Sequence, residues 1–271
     1  MARGDRPATG RPRVLVVDYP GRRDAARIAD LRPDSIGLDV VDLIGPRFPR
    51  ECRAAAYATE LLRDANVGHR PLAVFGYCMA APIAQEVAAL VSTDREPVSL
   101  VLFDSRPATL TAVEDQYQAA ARQLVGQLGP ALDSTVPLET SLIEKAPEQA
   151  VSTMRANLTR LGTAGIMASG EDAVDAAEIA AGLTEHYLDW LIHLVAAYHC
   201  GWPSWGGAVL HLMSEHHPFT DAWPGATSTR QARFDVARVD LLHSAAVRRV
   251  LCSWLERQST TDLNLAPEET R

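Results

Sequence analysis

The chain is 271 residues long and 47% hydrophobic, enough for one large α/β domain with an insertion or for two small ones. Its formal charge is −8 with a pI near 5.5, and Lys145 is its only lysine; that balance excludes a generic binder of nucleic acid or anionic membrane. Four scattered cysteines, Cys52, Cys78, Cys200 and Cys252, form no C-x-x-C pair and no zinc-like spacing, so the composition fits a reduced cytoplasmic protein rather than a disulfide framework.

Residues 1–12 are basic and contain Pro and Gly, with no apolar run of signal length behind them, and read as a disordered leader. RVLVVD, from Arg13 to Asp18, reads as a buried strand ending in the turn signal Tyr19-Pro20-Gly21. Loops at the carboxyl ends of strands line the crevice of a doubly wound sheet, so the backbone N–H groups from Tyr19 to Arg22 are candidates for half an oxyanion hole. The other reading of Pro20-Gly21 is a plain tight turn. Gly37 to Leu43 reads as a second strand, Gly45 to Pro49 as a loop, and Cys52 to Asp64 as a helix.

The stretch Pro71 to Leu90 organises the rest. An apolar run from Leu72 to Phe75 stops at Gly76, and a helical pattern with Ile83, Val87 and Leu90 on one face begins at once. Gly76-Tyr77-Cys78-Met79-Ala80 between them has the spacing of the G-x-S-x-G nucleophile elbow, with cysteine in the nucleophile place and alanine at the last glycine. Such a turn requires small flanking residues because its nucleophile has a strained backbone. It also puts Cys78 at the start of a helix, whose free N–H groups favour a thiolate, and makes the Met79 N–H the second oxyanion donor. Against this stands the ordinary reading of a buried cysteine, which is packing.

Val98 to Phe103 is the next apolar run and stops at Asp104, which is placed either to orient a base in the same crevice or to cap a turn before Ser105-Arg106-Pro107. From Ala108 to Gly201 strand signals nearly vanish in favour of Ala-rich helices, an insertion that reads as a lid. The strongest is Glu178 to Tyr198, with Ile179, Leu183, Tyr187, Trp190, Leu191, Leu194 and Tyr198 as its apolar stripe. Ala208 to Met213 returns to a strand, followed by Ser214-Glu215-His216-His217. Neighbouring residues on an extended segment point apart and no further ligands have zinc-like spacing, so the histidines do not read as a metal site. Ala232 to Arg238 alternates into a last strand, Val239 to His243 forms a loop, Ser244 caps a final helix with Val247, Val250, Leu251 and Trp254 on its apolar face, and residues 258–271 form a polar tail.

Together FGYCMAAPIAQEVA, VLFDSRP, the helical insertion and the closing strand, loop and helix resemble the thioesterases of polyketide and non-ribosomal peptide assembly lines. The resemblance implies an α/β-hydrolase fold over residues 13–257, a mostly parallel sheet with the helical lid inserted at about 108–201. It implies no cofactor or metal, and a partner: an acyl or peptidyl carrier protein presenting its acyl chain as a phosphopantetheine thioester. It implies a triad in the order nucleophile, acid, histidine. Cys78 matches the nucleophile and Asp104 the acid of chain-terminating enzymes, whereas editing enzymes keep the acid after the next strand, where this chain has Glu215 and Asp221. Aligning the last helix puts Arg238 in the histidine place, and a guanidinium cannot act as a general base. His243, five residues later, is the candidate base.

A cysteine lessens the dependence on that base, since a thiol supplies some thiolate at neutral pH and acyl-Cys is itself a thioester. Water still needs a base to take the acyl group; an amine or a thiol needs it less. Acyl transfer or release therefore stands ahead of simple hydrolysis. The alternatives are a degenerate fold that binds carrier or acyl chain without turnover, and a lyase or cyclase that uses the crevice for acid–base work. A carrier protein is acidic, so docking would call on arginines such as Arg22 and Arg23 or Arg47 and Arg50.

Overall fold

The computed structural model describes residues 10–19, 26–45, 47–65, 67–128 and 135–263, so most of the expected leader, Pro20-Gly21 and the arginines Arg22 and Arg23 lie outside the described residues. In chain order run β1 (Arg13–Val17), β2 (Asp39–Asp42), α1 (Ala54–Asp64), β3 (Ala73–Tyr77), α2 (Ala81–Val91), β4 (Ser99–Phe103), α3 (Leu110–Leu128), α4 (Thr140–Lys145), α5 (Pro147–Ala168), α6 (Ala173–Tyr198), β5 (Ala208–Met213), β6 (Ser228–Arg233) and α7 (Ala245–Leu263). They form two compact units. One holds residues up to Arg47, Ala58–Arg106 and everything from Trp202 onward; the other holds Phe48–Tyr57 and Pro107–Gly201. Among the described residues no helix is long and apolar enough to cross a membrane.

The first unit is built on a six-stranded sheet in the order β2-β1-β3-β4-β5-β6, with every described pair parallel. Its central strands are near-continuous apolar runs because both faces are covered. Val14, Val16, Phe75, Val101, Phe103, Leu210 and Leu212 share one core with Ile28, Leu31 and the α7 residues Val247, Leu251 and Trp254. The alternate residues Leu15, Val17, Val74, Leu100, Leu102 and Val209 are buried as well. They face the side on which α2 packs against β1, β3 and β4. The chain leaves β1 for β2 on one side and returns to β3 on the other. That reversal is the switch point at which open parallel sheets form a crevice beyond their carboxyl ends.

Gln85 of α2, fully buried, ties the returning chain to this unit. It accepts from Trp223 Nε1 at 2.7 Å and donates to the carbonyls of Pro203 and Pro224 at 3.0 and 2.9 Å. The rings of Trp202 and Trp223 meet edge to face at 5.9 Å.

The second unit is helical. Helices α5 and α6 pack tightly at Gly162 of α5, where a Cβ would sit 3.0 Å from that of Ala180 in α6. Asp172 caps α6, accepting from the N–H groups of Val174 and Asp175 at 2.8 and 3.1 Å. Arg50 pairs with Glu185 and Asp189 at 3.2 and 2.9 Å within this unit, so it is not a spare cation for docking.

Four expectations shift. The last strand is Ser228–Arg233 rather than Ala232–Arg238. As an edge strand it has one neighbour and needs little apolar content, whereas Phe234 and Val236, whose alternation suggested a strand, pack on the core beyond its end. Val239–His243 belongs to a 3-10 turn, Arg238–His243, and α7 continues past Gln258 to Leu263. Leu90 is 49% exposed and Ile179 47%, because each apolar face ends a turn short of the pattern that its sequence suggests.

Gly76 fixes the distance between β3 and α2. A Cβ there would lie 2.8 Å from Ala84 Cβ, 3.1 Å from Ala81 Cα and 3.3 Å from Leu102 Cδ2, two of them set by backbone or a short rigid side chain. Gly76→Ala is expected to destabilise the chain by about 1–3 kcal/mol, the usual cost of overpacking, and urea unfolding should show it as a lower midpoint with an unchanged slope.

Candidate active site

Tyr77 and Phe103 are the last pair in register between β3 and β4, so Cys78 and Asp104 leave the sheet side by side. Both have backbone conformations that L residues rarely adopt, with φ of 55° and 43°. After Cys78 a 3-10 turn, Cys78–Ala80, leads into α2. The strand, the strained residue and the helix together make a nucleophile elbow. The departure at Ala80 costs nothing here, since its φ of −80° is helical and open to any side chain.

All four cysteines are free thiols. Burial, helped by Glu148 and Glu51, pushes the Cys52 thiol up to about 11, and burial beside Glu256 raises Cys252. Cys200 is buried; Cys78 is half-buried at the sheet's carboxyl edge.

The group resting on Cys78 is an arginine. Arg238, the first residue of the 3-10 turn after β6, donates from Nη2 to Cys78 Sγ at 2.7 Å and from Nε to the Tyr77 hydroxyl at 3.4 Å. Its guanidinium carbon lies 5.7 Å from the Tyr77 ring centroid, within cation–π range. Burial of the head group by itself would lower the Arg238 pKa; the Cys78 and Tyr77 groups outweigh it and the net shift is upward. The short contact is charge-assisted, of the kind that a thiolate accepts better than a thiol.

Asp104 is 1% exposed, and each of its carboxylate oxygens accepts a hydrogen bond. Ser214, the first residue after β5, donates its N–H to Oδ1 at 2.7 Å and its hydroxyl to Oδ2 at 2.8 Å. Beside it, the Ser105 N–H donates to His211 Nε2 at 3.2 Å, which leaves the ring proton on Nδ1. His217 packs edge-on to His211 at 5.5 Å between centroids and interacts with the Asp104 backbone. Its pKa is lowered, by burial first and by the charges of Arg238 and Arg233, against the opposing pull of Asp104. Arg233 holds this loop by donating to the carbonyls of Ser214, Glu215 and His217 at 3.1, 2.9 and 2.7 Å.

The structure thus brings together Cys78, Arg238, Met79 and Asp104 at the sheet edge. Met79 is buried in the first turn after Cys78, and Tyr19 is buried just past β1, on the far side of the switch point. His243 is exposed at the end of its 3-10 turn, and among the described residues no hydrogen bond joins it to Cys78 or Asp104. Nor does Arg238 form an ion pair with Asp104. Glu215 and Asp221 are exposed, Glu215 lying 3.4 Å from His216, while His217 turns inward. Ser214, His211 and Tyr77 were not singled out in the sequence. The signal for Ser214 is positional: it follows the apolar run of β5 as Asp104 follows that of β4.

A parallel sheet with a nucleophile elbow at its carboxyl edge defines an α/β-hydrolase. Residues 52–250 match the family model described as Thioesterase domain, and the chain belongs to that family, as a hydrolytic enzyme of the α/β-hydrolase fold. Two solved structures with TM-scores of 0.50 and 0.52 share the architecture, and a third is similar at a lower score. The NocB thioesterase domain, in covalent complex with a fluorophosphonate nocardicin G analog, is 19% identical over 93% of this chain and 96% of its own, with a TM-score of 0.50. A hydrolase from Pseudomonas aeruginosa PA01 is 14% identical over 92% and 91%, with a TM-score of 0.52. RedJ, a thioesterase from the prodiginine biosynthetic pathway in Streptomyces coelicolor, is 16% identical over 91% and 85%, with a TM-score of 0.47. No curated protein sequence matches the chain.

His211 makes the site acid-sensitive. Burial first, then the charges of His217 and Arg233, push its pKa down to about 3 from an ordinary 6.5. Between those values the unfolded chain binds a proton that the folded one does not, so stability is complete above about pH 6.5 and is lost as pH falls toward 3. Melting temperatures at pH 7 and pH 4.5 should fall less in His211→Asn, which keeps an acceptor for Ser105, than in the parent chain; equal falls would remove His211 from the acid response.

Proposed function

We propose that Cys78 takes the acyl chain from a carrier-protein thioester in a natural-product assembly line and passes it to an acceptor, with hydrolysis the slower outcome. The contact of Arg238 on Cys78 carries this reading, together with the motif resemblance to assembly-line thioesterases and the thioesterase family membership. In the first step the Cys78 thiolate adds to the thioester carbonyl, and collapse of the tetrahedral adduct expels the phosphopantetheine thiolate. One thioester is exchanged for another, so the step is near balance and the acyl group stays activated. The N–H of Met79, the residue after Cys78, is an oxyanion donor. The Asp104 carboxylate, held by Ser214, acts as a clamp on the crevice wall rather than as the orienter of a base.

Deacylation by water requires a group to take its proton, and Arg238 cannot. A neutral amine attacks without that help and sheds its proton to solvent afterwards. General-base catalysis contributes about 10² to 10⁴ in rate, which is the handicap that hydrolysis carries here. The arginine in the histidine place also favours a second reading, a fold that binds acyl carriers without turnover.

Intact-mass measurement after incubation with hexanoyl-N-acetylcysteamine separates the two. A long-lived adduct is expected on the parent chain and on His243→Ala, none on Cys78→Ala, and an added primary amine should discharge it at least about a hundredfold faster than buffer. A chain that never acylates is a binder; one whose adduct needs His243 to turn over is a hydrolase with a displaced base.

A further inference from the structure

The Arg238 guanidinium has five N–H donors, and the described contacts, to Cys78 Sγ and the Tyr77 hydroxyl, use two of them. Among the described residues no carboxylate pairs with it. Asp104, the acid at the neighbouring strand end, is bonded through both oxygens to Ser214 and forms no ion pair with Arg238. Among the described residues the group that accepts the short bond from the guanidinium is therefore the Cys78 sulfur. Acylation turns that sulfur into a neutral, weakly accepting thioester sulfur and frees the Nη2 donor at the moment the acyl group arrives. Arg238 is exposed, so its unused donors are open to an arriving ligand, and a carboxylate that meets its fork forms two parallel charge-assisted hydrogen bonds.

From this geometry we infer that the acyl groups preferred by Cys78 carry a carboxylate one or two methylenes from the thioester carbonyl, as in malonyl or succinyl thioesters, and that Arg238 is the residue that selects them. The inference rests on the proposed acylation of Cys78 and adds the substrate class to it. The spacing follows from the contact: a guanidinium that touches the sulfur lies within the reach of a group only a few bonds beyond the carbon attached to that sulfur. The chain's overall charge of −8 works against attracting an anionic substrate from a distance, so the selection depends on this one cation.

Two paired comparisons test it. The first alkylates Cys78 with iodoacetate and with iodoacetamide, reagents that form the same S–CH2 bond with loss of iodide and differ in their charge. The anionic reagent should react at least about tenfold faster on the parent chain, and Arg238→Gln should abolish or reverse that ratio. The second compares succinyl-N-acetylcysteamine with its methyl ester by intact mass; the free acid should acylate Cys78 at least about tenfold faster, with Arg238→Lys intermediate because it keeps the charge and loses the fork. Using ratios within each variant cancels any general effect of Arg238 on sulfur reactivity, and the parent chain alone decides should the variants fail to fold. Equal or slower reaction of the anionic member in either pair overturns the inference, while acylation by the methyl ester leaves the acyl-transfer reading standing. Alkylation without acylation by any thioester overturns both.

Discussion

The distance between β3 and α2 governs the rest of the site. With a glycine at position 76 the first turns of α2 lie against the strand, the closest atoms leaving less than a Cβ contact of room. That closeness forces the chain to turn within a single residue, and Cys78 takes the left-handed conformation that the turn requires. Cys78 therefore stands beyond the sheet edge, beside the residue that leaves β4 in the same register. The strain at Cys78 is held by packing on both faces of the sheet, since both β3 and α2 are buried nearly throughout.

A second set of bonds holds the crevice wall. Asp104, also at positive φ, is tied by its N–H to the Leu212 carbonyl at 3.0 Å and by its carboxylate to Ser214. His211 secures the next residue, and Arg233 secures the loop behind. Each bond crosses between neighbouring strands, so the carboxyl ends of β4, β5 and β6 are joined by side chains where the backbone ladder stops. Asp104, which the sequence offers as the acid of a site, is thus also a tie of this wall.

What the sequence made legible follows from this. The elbow was readable because strand, turn and helix are contiguous and each has its own period. Placing Arg238 in the histidine position was possible by aligning the last helix on the closing turn of the family that the chain resembles, since the spacing between that turn and the helix it feeds is local. The partnership of Asp104 with Ser214 was not, because the two are 110 residues apart and meet only through the register of β4 on β5. The edge strand β6 misled for another reason: STRQAR has little apolar content to announce it, while the alternation of the following segment reports packing rather than pairing. Arg50 was legible as a cation and not as a paired one, since its partners Glu185 and Asp189 are remote in sequence.

Replacing an imidazole by a guanidinium at the nucleophile changes which half of an acyl-transfer cycle is easy. An imidazole takes a proton in both halves, from the nucleophile on the way in and from water on the way out. A guanidinium takes none, but it stabilises the anion that a sulfur nucleophile presents, and serine, with its far higher pKa, would gain too little from it to attack. Cysteine and arginine are thus mutually consistent where either alone would be a defect. On the proposed acylation of Cys78, the pair would support entry of the acyl group and withhold help from water, so the fate of the acyl-enzyme would pass to whichever acceptor brings its own nucleophilicity. On that proposal the division of labour follows from the 2.7 Å contact between Arg238 and Cys78, whatever the acyl chain.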